Sequence, residues 1–495
     1  MTSSGTTWGA GRGAGARAWA EAVASGEVPQ PAWELLLPAA GAPARGRGRA
    51  LQEALREAVR AGRLGPGTRL PSSRALAADL GVSRGLVTEV YEQLTAEGYL
   101  RSDRGSGTWV GGAARSAAPG VRDLAPGVRG VPGVRVDFRS GTPDLALFPR
   151  AAWGAAQRSV LSELAHRQLG YPDPRGLPEL RAALAALLAR RRGVVADPER
   201  LVVCSGVAQA ATLLGFVLRA RGLRSVGVED PGSPEHARLF AATGVETVWL
   251  PVDGEGLEPG PLAASGVRAV VVTPSHQFPS GIAYSARRRA ALLDWARTVD
   301  GFVLEDDYDG DFRYDRAPVG ALQGLDPERV AYAGSVSKSL APGLRLGWML
   351  VPEALLDEVV ERKRTMDLGN PALDQAVLTR FVTGGGYDRQ LRRCQRAYRE
   401  RRDALVASLD RHFPGSRVSG IAAGLHVIAH LPPEHGPTPR LLDHARAAGV
   451  ALHPLEEYGT ARPTDGTVRL VLGYAHLTPG EIEVGVGLMA GRGGE

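Results

Sequence analysis

The chain has 495 residues, 44% of them hydrophobic and 23% charged, an ordinary composition for globular protein with core enough for several compact units. Cys204 and Cys394 are too few for a disulfide framework, and no apolar run approaches the ~20 residues that cross a bilayer. The N-terminus lacks a basic segment followed by an apolar signal core. We therefore expect a cytoplasmic protein without membrane contact. The formal net charge of +6 is compatible with an anionic partner.

The N-terminal part divides into an arm and a periodic region. Residues 1–41 are rich in Gly and Ala and have no sustained period, so we expect a flexible arm and assign it no function. Residues 42–112 contain three stretches of helical periodicity, with Ser72 or Ser73 capping the second and Ser83 the third. Two short strand patterns follow around a Gly-rich turn. Three helices and a β-wing predict a winged helix-turn-helix.

The stretch "LPSSRALAADLGVSRGLVTEVYEQLTAEGYLRSDRGSGTWV" resembles the GntR-type DNA-binding domain, and this resemblance implies a double-stranded DNA operator as partner. Side chains at the start of the third helix are placed to meet base edges, and arginines beside it to meet phosphates. The candidate DNA contacts are Arg74, Ser83, Arg84, Thr88, Arg101 and Arg104. Two alternatives remain open: a solvated basic face, and a winged helix that binds protein.

The remaining chain begins with a linker. Residues 113–136 lose the period to Gly, Pro and Ala and predict a semi-extended linker. From residue 137, apolar runs such as "LVV", "SVGV", "AVVVT" and "GFVLE" alternate with helical stretches, a pattern that predicts a parallel sheet covered by helices. We assign residues 137–495 to one effector domain, with a large α/β domain at about 165–351 and a smaller α+β lobe at 352–495.

Lys338 lies in "SVSKSLAPGLRLGW", just after a predicted strand. A lone lysine is usually a solvated charge, but three other strand ends also carry chemistry. In "GFVLEDDYDGDFRY" a carboxylate and a phenol follow a strand, and pyridoxal 5′-phosphate needs both groups around its ring. "CSGVAQ" opens a helix whose first amides can seat a phosphate, and "TPSHQFPSG" is a polar loop. Taken singly, these segments are equally compatible with an acidic metal loop or a tight turn.

In this order, the segments resemble fold-type I aminotransferases from residue 137 onwards, and "GYPDPRGLPELRAAL" matches that family as well. The resemblance implies that Lys338 forms the Schiff base, Asp306 holds the pyridine nitrogen and Tyr308 the ring oxygen. It implies no metal. The other cofactor contacts carried over are Arg345, Ser335, Ser337, Gly206, Val207, Gln277 in place of an Asn, and Tyr171 reaching across a dimer interface.

A GntR-type head, a linker and this domain together resemble the MocR/GabR-type transcriptional regulators. The resemblance implies a domain-swapped homodimer whose aminotransferase-like domain senses pyridoxal phosphate or an amino compound through Lys338, usually without turnover. Two other classes remain open: a true aminotransferase with a regulatory head, for which Lys338 would be catalytic, and a regulator that keeps the fold without cofactor.

Two positions depart from the aminotransferase pattern. Ser233 in "VEDPGSPEH" stands where the family commonly has an aromatic that stacks on the ring. In "TVRLVLGYAH" the substrate-binding Arg of the family aligns with Val471, while Arg469 lies two residues earlier on the same strand face. Gly141 and Arg469 are the candidate effector contacts. The charged helix around residues 392–402 we interpret as a solvated face.

Overall fold

In the computed structural model, residues 42–103, 107–111, 133–315, 319–460 and 466–491 are described. They fall into two compact units, 42–111 and 133–491. The predicted N-terminal arm, residues 113–132 of the predicted linker, and Arg104 lie outside the described residues.

The first unit has three helices and three strands: α1 (Arg47–Arg60), β1 (Arg69–Leu70), α2 (Ser73–Leu80), α3 (Arg84–Ala96), β2 (Leu100–Asp103) and β3 (Gly107–Val110). The strands form an antiparallel sheet in the order β1-β3-β2. Oγ of Ser72 accepts a hydrogen bond from the Ala75 amide at 3.1 Å, so Ser72 rather than Ser73 caps α2. Oγ of Ser83 caps α3 through the Leu86 amide at 3.3 Å. The predicted winged helix is confirmed.

The core of the first unit comes from the apolar stripes of its helices. Leu51 and Leu55 of α1 and Val87 and Val90 of α3 are almost completely buried in one cluster. Because these residues recur at helical spacing, one face of each helix is apolar and the opposite face stays in solvent. Arg84, the arginine of α3, is therefore left on the outside.

An eight-stranded sheet forms the centre of the second unit. Its strands are β5 (Leu201–Cys204), β6 (Ser225–Asp230), β7 (Glu246–Asp253), β8 (Gly256–Leu257), β9 (Ala269–Val272), β10 (Phe302–Asp306), β11 (Val330–Ser335) and β12 (Gly347–Leu350). Their order is β5-β12-β11-β10-β9-β6-β7-β8. The sheet is mixed rather than purely parallel, since β12 is antiparallel to both neighbours and β8 to β7. Residues 336–346 between β11 and β12 contain no α-helix and reverse the chain, whereas a parallel crossover is usually made by an α-helix.

Helices cover both faces of this sheet: α4 (Arg150–Glu163), α5 (Pro178–Arg192), α6 (Val207–Ala220), α7 (Pro234–Ala242), α8 (Pro259–Ala264), α9 (Ala286–Thr298), α10 (Leu356–Asp367) and α11 (Ala372–Thr383). Val271 and Leu304 pack in one cluster with α6, and Val270 and Val303 in another with α9. Alternate residues of a strand point to opposite faces. Both faces are thus buried, which explains the continuous apolar runs in the sequence.

The smaller lobe contains α12 (Gly386–His412), β13 (Arg417–Ser419), β14 (His426–Leu431), α13 (Thr438–Ala447), β15 (Val450–Ala451), β16 (Val468–Gly473) and α14 (Pro479–Met489). Strands β13, β14 and β16 form an antiparallel sheet. The earlier strand β4 (Val136–Asp137) pairs in parallel with β15, so residues from before 352 also contribute to this lobe. Two residues are too few to show a period, and the sequence did not predict this strand.

No helix within the described ranges is long and apolar enough to cross a membrane.

Candidate functional site

Neighbouring strand ends bring the predicted cofactor residues together. Strand β12 lies between β11 and β5, with Gly347 opposite Ser335 on one side and Cys204 on the other. The turn at Ser205 that opens α6 therefore lies beside the turn that follows β11. A Cβ on Gly347 would come within 2.7 Å of the Gly206 Cα, so glycine is required for this close approach.

Lys338 follows β11 in a partly buried position. Its Nζ donates a hydrogen bond to the carbonyl oxygen of Gly141 at 2.5 Å. Burial lowers the pKa of Lys338, while the negative charges of Asp306 and Asp309 oppose the shift. A lysine with a lowered pKa has more of the neutral amine, which is the form that attacks a carbonyl carbon. The side chain is thus suited to nucleophilic chemistry.

Asp306 ends β10 and is buried. Its Oδ2 lies 2.9 Å from Nε2 of His236, whereas Oδ1 is buried without a partner. Burial favours the neutral imidazole, but the hydrogen bond with Asp306 and the carboxylate charge outweigh burial and raise the pKa of His236. A buried carboxylate oxygen without a donor is costly unless something supplies one. A protonated ring nitrogen is a suitable donor.

The turn that opens α6 forms a candidate phosphate-binding site, the phosphate seat, made by Gly206, Val207 and Arg345. Gly206 precedes the helix with φ 93 and ψ 176, a conformation that favours glycine, and Val207 begins the helix. The first amides of a helix lack intrahelical partners and point at an anion bound there. Arg345 Nη2 donates to the Ser205 carbonyl oxygen and would lie 3.2 Å from a Cβ on Gly206. A guanidinium and helix amides thus converge on one point.

The two serines of the lysine segment lie beside this turn. Ser335 ends β11, and its Oγ accepts a hydrogen bond from the Ser337 amide at 3.3 Å. Both residues are partly buried. Their hydroxyl groups add donors on the strand side of the seat.

The hydroxyl group of Tyr308 and the carboxylate of Asp309 contact the same nitrogen of His276. The Tyr308 hydroxyl lies 3.0 Å from Nδ1 of His276, and the same ring nitrogen lies 2.9 Å from Oδ2 of Asp309. Burial, with Asp309 and Asp306 nearby, raises the pKa of Tyr308 well above its ordinary value, so the phenol keeps its proton. Such a phenol can donate a hydrogen bond to an oxygen atom of a bound ligand.

An aromatic group beside Tyr308 was missed in the sequence. The Phe278 ring lies 5.9 Å from the Tyr308 ring, 5.2 Å from that of His426 and 5.3 Å from that of Tyr458. These four residues come from four distant segments, so no local pattern indicates the cluster. His236 was also missed. It stands three residues after Ser233, one helical turn further along α7, and that spacing was the available signal.

Three of the predicted cofactor or effector residues, Gln277, Tyr171 and Arg469, have surroundings that differ from those of Lys338. Gln277 is completely buried. Its Nε2 donates hydrogen bonds to the backbone oxygens of Pro231 at 2.9 Å and Phe278 at 2.6 Å, and its Oε1 accepts one from the Ser280 amide at 3.0 Å. Its side chain therefore holds the loop together.

Tyr171 is 88% exposed, and Arg469 stands opposite His430 in the β14–β16 ladder of the smaller lobe. Neither has a contact with Lys338 among the hydrogen bonds of the described residues. Gly141, by contrast, touches the site directly through its carbonyl oxygen.

In the first unit the predicted DNA contacts lie on the outer face. Arg74, Ser83 and Arg84 are exposed. The Thr88 hydroxyl donates to the Arg84 carbonyl oxygen at 3.0 Å, one turn earlier in α3. Arg101 of the wing is exposed, with its guanidinium 5.9 Å from the ring centroid of Trp109. The N-terminal end of α3, Arg74 of α2 and Arg101 of β2 are thus all exposed to solvent.

Two family models match the chain. The model of the bacterial regulatory proteins of the gntR family matches residues 48–110, and that of the class I and II aminotransferases matches residues 135–487.

Two curated relatives align with most of the chain, and one solved structure matches a large part of it. The pyridoxine biosynthesis regulator PdxR of Corynebacterium glutamicum is 35% identical, over 76% of this chain and 82% of its own length. The probable rhizopine catabolism regulator MocR of Rhizobium meliloti is 34% identical, over 88% of this chain and 92% of its own. Kynurenine aminotransferase of Pyrococcus horikoshii superposes with a TM-score of 0.64 at 27% identity, covering 72% of this chain and 90% of that structure.

Proposed function

This chain belongs to the MocR-type family, GntR-type DNA-binding transcriptional regulators with a class I and II aminotransferase domain, and we propose that its second unit senses pyridoxal phosphate or an amino compound at Lys338. Membership of the family implies pyridoxal 5′-phosphate as the cofactor. The observation that carries the proposal is the buried, partnerless Oδ1 of Asp306, which calls for a proton donor in the space that Lys338 also faces.

The residues of the chain fit this cofactor. Oδ1 of Asp306 would accept the proton of the pyridine nitrogen, and Tyr308 would donate to the ring oxygen. Arg345 and the amides at Gly206 and Val207 would hold the phosphate, with Ser335 and Ser337 beside them. When bound, the cofactor supplies an electrophilic carbonyl carbon, and Nζ of Lys338 is the amine that takes it up.

A route from the site to the smaller lobe runs through Gly141. Its carbonyl oxygen accepts a hydrogen bond from Nζ of Lys338, and the same segment joins the smaller lobe, where the Gly473 amide donates to the Phe138 carbonyl oxygen at 2.8 Å. Nζ of Lys338 would be free to make this hydrogen bond when an amine took its place on the cofactor. We infer that the position of the lobe responds to this exchange, since a ligand shifts an equilibrium only through contacts that differ between two states. Gly141 and Arg469 are the proposed effector contacts.

An apolar surface supports a homodimer. Leu169 and Tyr171 are 64% and 88% exposed, and Leu368 is 47% exposed. The two segments are adjacent, because a Cβ on Gly369 would lie 3.0 Å from the ring of Pro172. Exposed large side chains grouped in this way mark interaction surfaces. We propose that this surface faces a second copy of the chain and that Tyr171 reaches the partner's phosphate seat.

The chain itself makes a sharp test possible, because Lys338 and Lys363 are its only lysines. Purified protein titrated with pyridoxal phosphate should gain an absorbance band near the visible edge. After reduction with borohydride, the cofactor mass should lie on the peptide that contains Lys338. Lys338→Ala should lack both signals, whereas the exposed-site control Arg440→Ala should keep them. A wild-type protein without the band, or with the mass elsewhere, overturns the proposal.

Turnover is the second candidate, favoured by the intact set of Lys338, Asp306 and Tyr308. Incubation with an amino donor and a keto acceptor distinguishes the two. An aminotransferase yields product well in excess of protein, while a sensor stops at one equivalent per site.

A further inference from the structure

A basic cleft lies along the first half of α12, apart from the residues of the proposed cofactor site. Its volume is about 610 Å³, in the range of small-molecule sites. Six of its lining residues are arginines: Arg313, Arg389, Arg392, Arg393, Arg396 and Arg399. Tyr314 and Gln395 complete the lining, and no carboxylate is among the lining residues that the structure describes.

Three of these arginines are held in place by neighbours. Arg313 is buried and forms an ion pair with Asp315 at 2.8 Å. Arg389 donates to the backbone oxygen of Gly384 at 3.2 Å, and Arg399 donates to that of Tyr314. Backbone oxygens orient a guanidinium without neutralising it, so Arg389 and Arg399 keep their full charge.

The other three, Arg392, Arg393 and Arg396, are exposed, and none has a hydrogen bond or ion pair with any residue that the structure describes. They stand three and four residues apart on one helix, where like charges repel and destabilise the helix. Another pair of neighbouring arginines shares a carboxylate. Arg190 and Arg191 both bind Asp388.

A cationic lining is not a general property of the clefts. A second cleft of about 450 Å³ beside α10 is lined by Asp357, Glu358 and Glu361 together with Arg362. Two of its carboxylates are paired with arginines of the chain, Glu358 with Arg221 and Glu361 with Arg364. The cleft on α12 is therefore set apart by a positive charge that a ligand would have to balance.

We propose that the cleft binds an oligophosphate, an anion with two or three linked phosphate groups. The guanidinium is planar and matches phosphate oxygens with paired N–H donors. Arg392 and Arg396 are separated by about 6 Å along the helix axis at 1.5 Å per residue. Linked phosphates spread their charge over a comparable length, whereas a single carboxylate neutralises only one arginine. The concave shape also suits a compact anion better than a DNA backbone, which follows extended basic surfaces.

The test uses full-length protein loaded with pyridoxal phosphate, so that the proposed phosphate seat is filled. Inorganic tripolyphosphate is titrated calorimetrically, with inorganic phosphate as the single-phosphate comparison. The triple variant Arg392→Gln, Arg393→Gln, Arg396→Gln is set against Arg219→Gln, Arg224→Gln, Arg440→Gln, three exposed arginines with the same loss of charge. Thermal melts of all proteins check folding.

Wild type should bind one tripolyphosphate per chain and gain thermal stability from it. The cleft variant should bind at least about tenfold more weakly and lose the gain, and the comparison variant should stay within about twofold of wild type. Equal losses of tripolyphosphate affinity in the two triple variants, or no loss in the cleft variant, would overturn the proposed site. Operator DNA is measured in parallel. A fall in operator affinity confined to the cleft variant identifies a DNA surface and overturns the oligophosphate assignment.

Discussion

Nε2 of His236 lies 2.9 Å from Oδ2 of Asp306, and both side chains are buried. The pair holds the carboxylate at the end of β10 with one oxygen engaged and the other, Oδ1, without a partner. The hydrogen bond and the charge of Asp306 raise the pKa of His236 in spite of burial. His236 is therefore a positioning residue for the proposed contact to the ring nitrogen.

His236→Leu should lower the free energy of unfolding of the cofactor-free protein by about 3 kcal/mol at pH 6, because it leaves a buried carboxylate without its partner. Because the pKa of His236 is higher in the folded than in the unfolded protein, its protonation stabilises the folded state. This stabilisation is complete at pH values below the unfolded-state pKa and is lost as pH rises through the folded-state pKa. The difference from wild type should thus shrink towards alkaline pH in urea titrations. The exposed His444→Leu serves as control. A difference that grows with pH would refute the assignment.

Gly206→Ala should weaken pyridoxal phosphate binding by at least about tenfold, since a Cβ at φ 93 is strained and lies 3.2 Å from the Arg345 guanidinium. Gly222→Ala is the matched control, with φ 79 and open space around the site of the Cβ. It should lose stability and keep its affinity for the cofactor. Absorbance titration measures the cofactor affinity of each variant. Equal cofactor affinities in the two variants would remove Gly206 from the phosphate seat.

Arg84→Ala should weaken operator binding by about tenfold or more, as expected for loss of a contact to a base edge. Its side chain is exposed at the start of α3. Arg219→Ala, an exposed arginine of α6, should have no such effect. Fluorescence anisotropy with operator and scrambled DNA separates specific from general binding. Loss of affinity for both DNAs alike would assign Arg84 to the phosphates instead.

Arg74→Gln should act differently. We expect it to contact a phosphate, so its removal should weaken binding to all sequences and reduce the slope of log K against log salt by about 0.9. The slope is measured between low and moderate salt on the same operator. An unchanged slope would exclude the phosphate contact.

If the protein forms the proposed dimer, Leu169→Asp with Tyr171→Asp should convert it to monomers, because two charges enter an apolar surface. Val484→Asp alters an equally conspicuous exposed side chain, 47% exposed on α14, and should leave the dimer intact. Analytical ultracentrifugation gives the mass directly. A dimer that survives the double change would place the interface elsewhere.

Strand ends were the most informative feature of the sequence. Asp306 ends a strand with a clear apolar run and Lys338 follows one, so both positions could be predicted at the edge of the sheet. The antiparallel β12 could not, since an apolar run does not reveal its direction. The smaller lobe was assigned too late in the chain, because β4 is two residues long.

Side-chain partners were less predictable than positions. Nothing local to Gln277 indicates that three backbone groups occupy its amide, and the bond between His236 and Asp306 joins residues 70 apart. Helical periodicity located the arginines of α12 on the outside of the helix. It did not reveal that they line a cleft, because the opposite wall comes from Arg313 and Tyr314.

We propose that chemistry at Lys338 changes the affinity of the protein for its operator DNA. Operator affinity of the cofactor-loaded protein is measured while a panel of primary amines is added, with the absorbance band followed in the same samples. An effective amine should remove the lysine-bound band and shift operator affinity by about fivefold or more. Both changes should be half complete at the same amine concentration, and Lys338→Ala should show neither. Operator affinity that stays constant while the band disappears would contradict the claim.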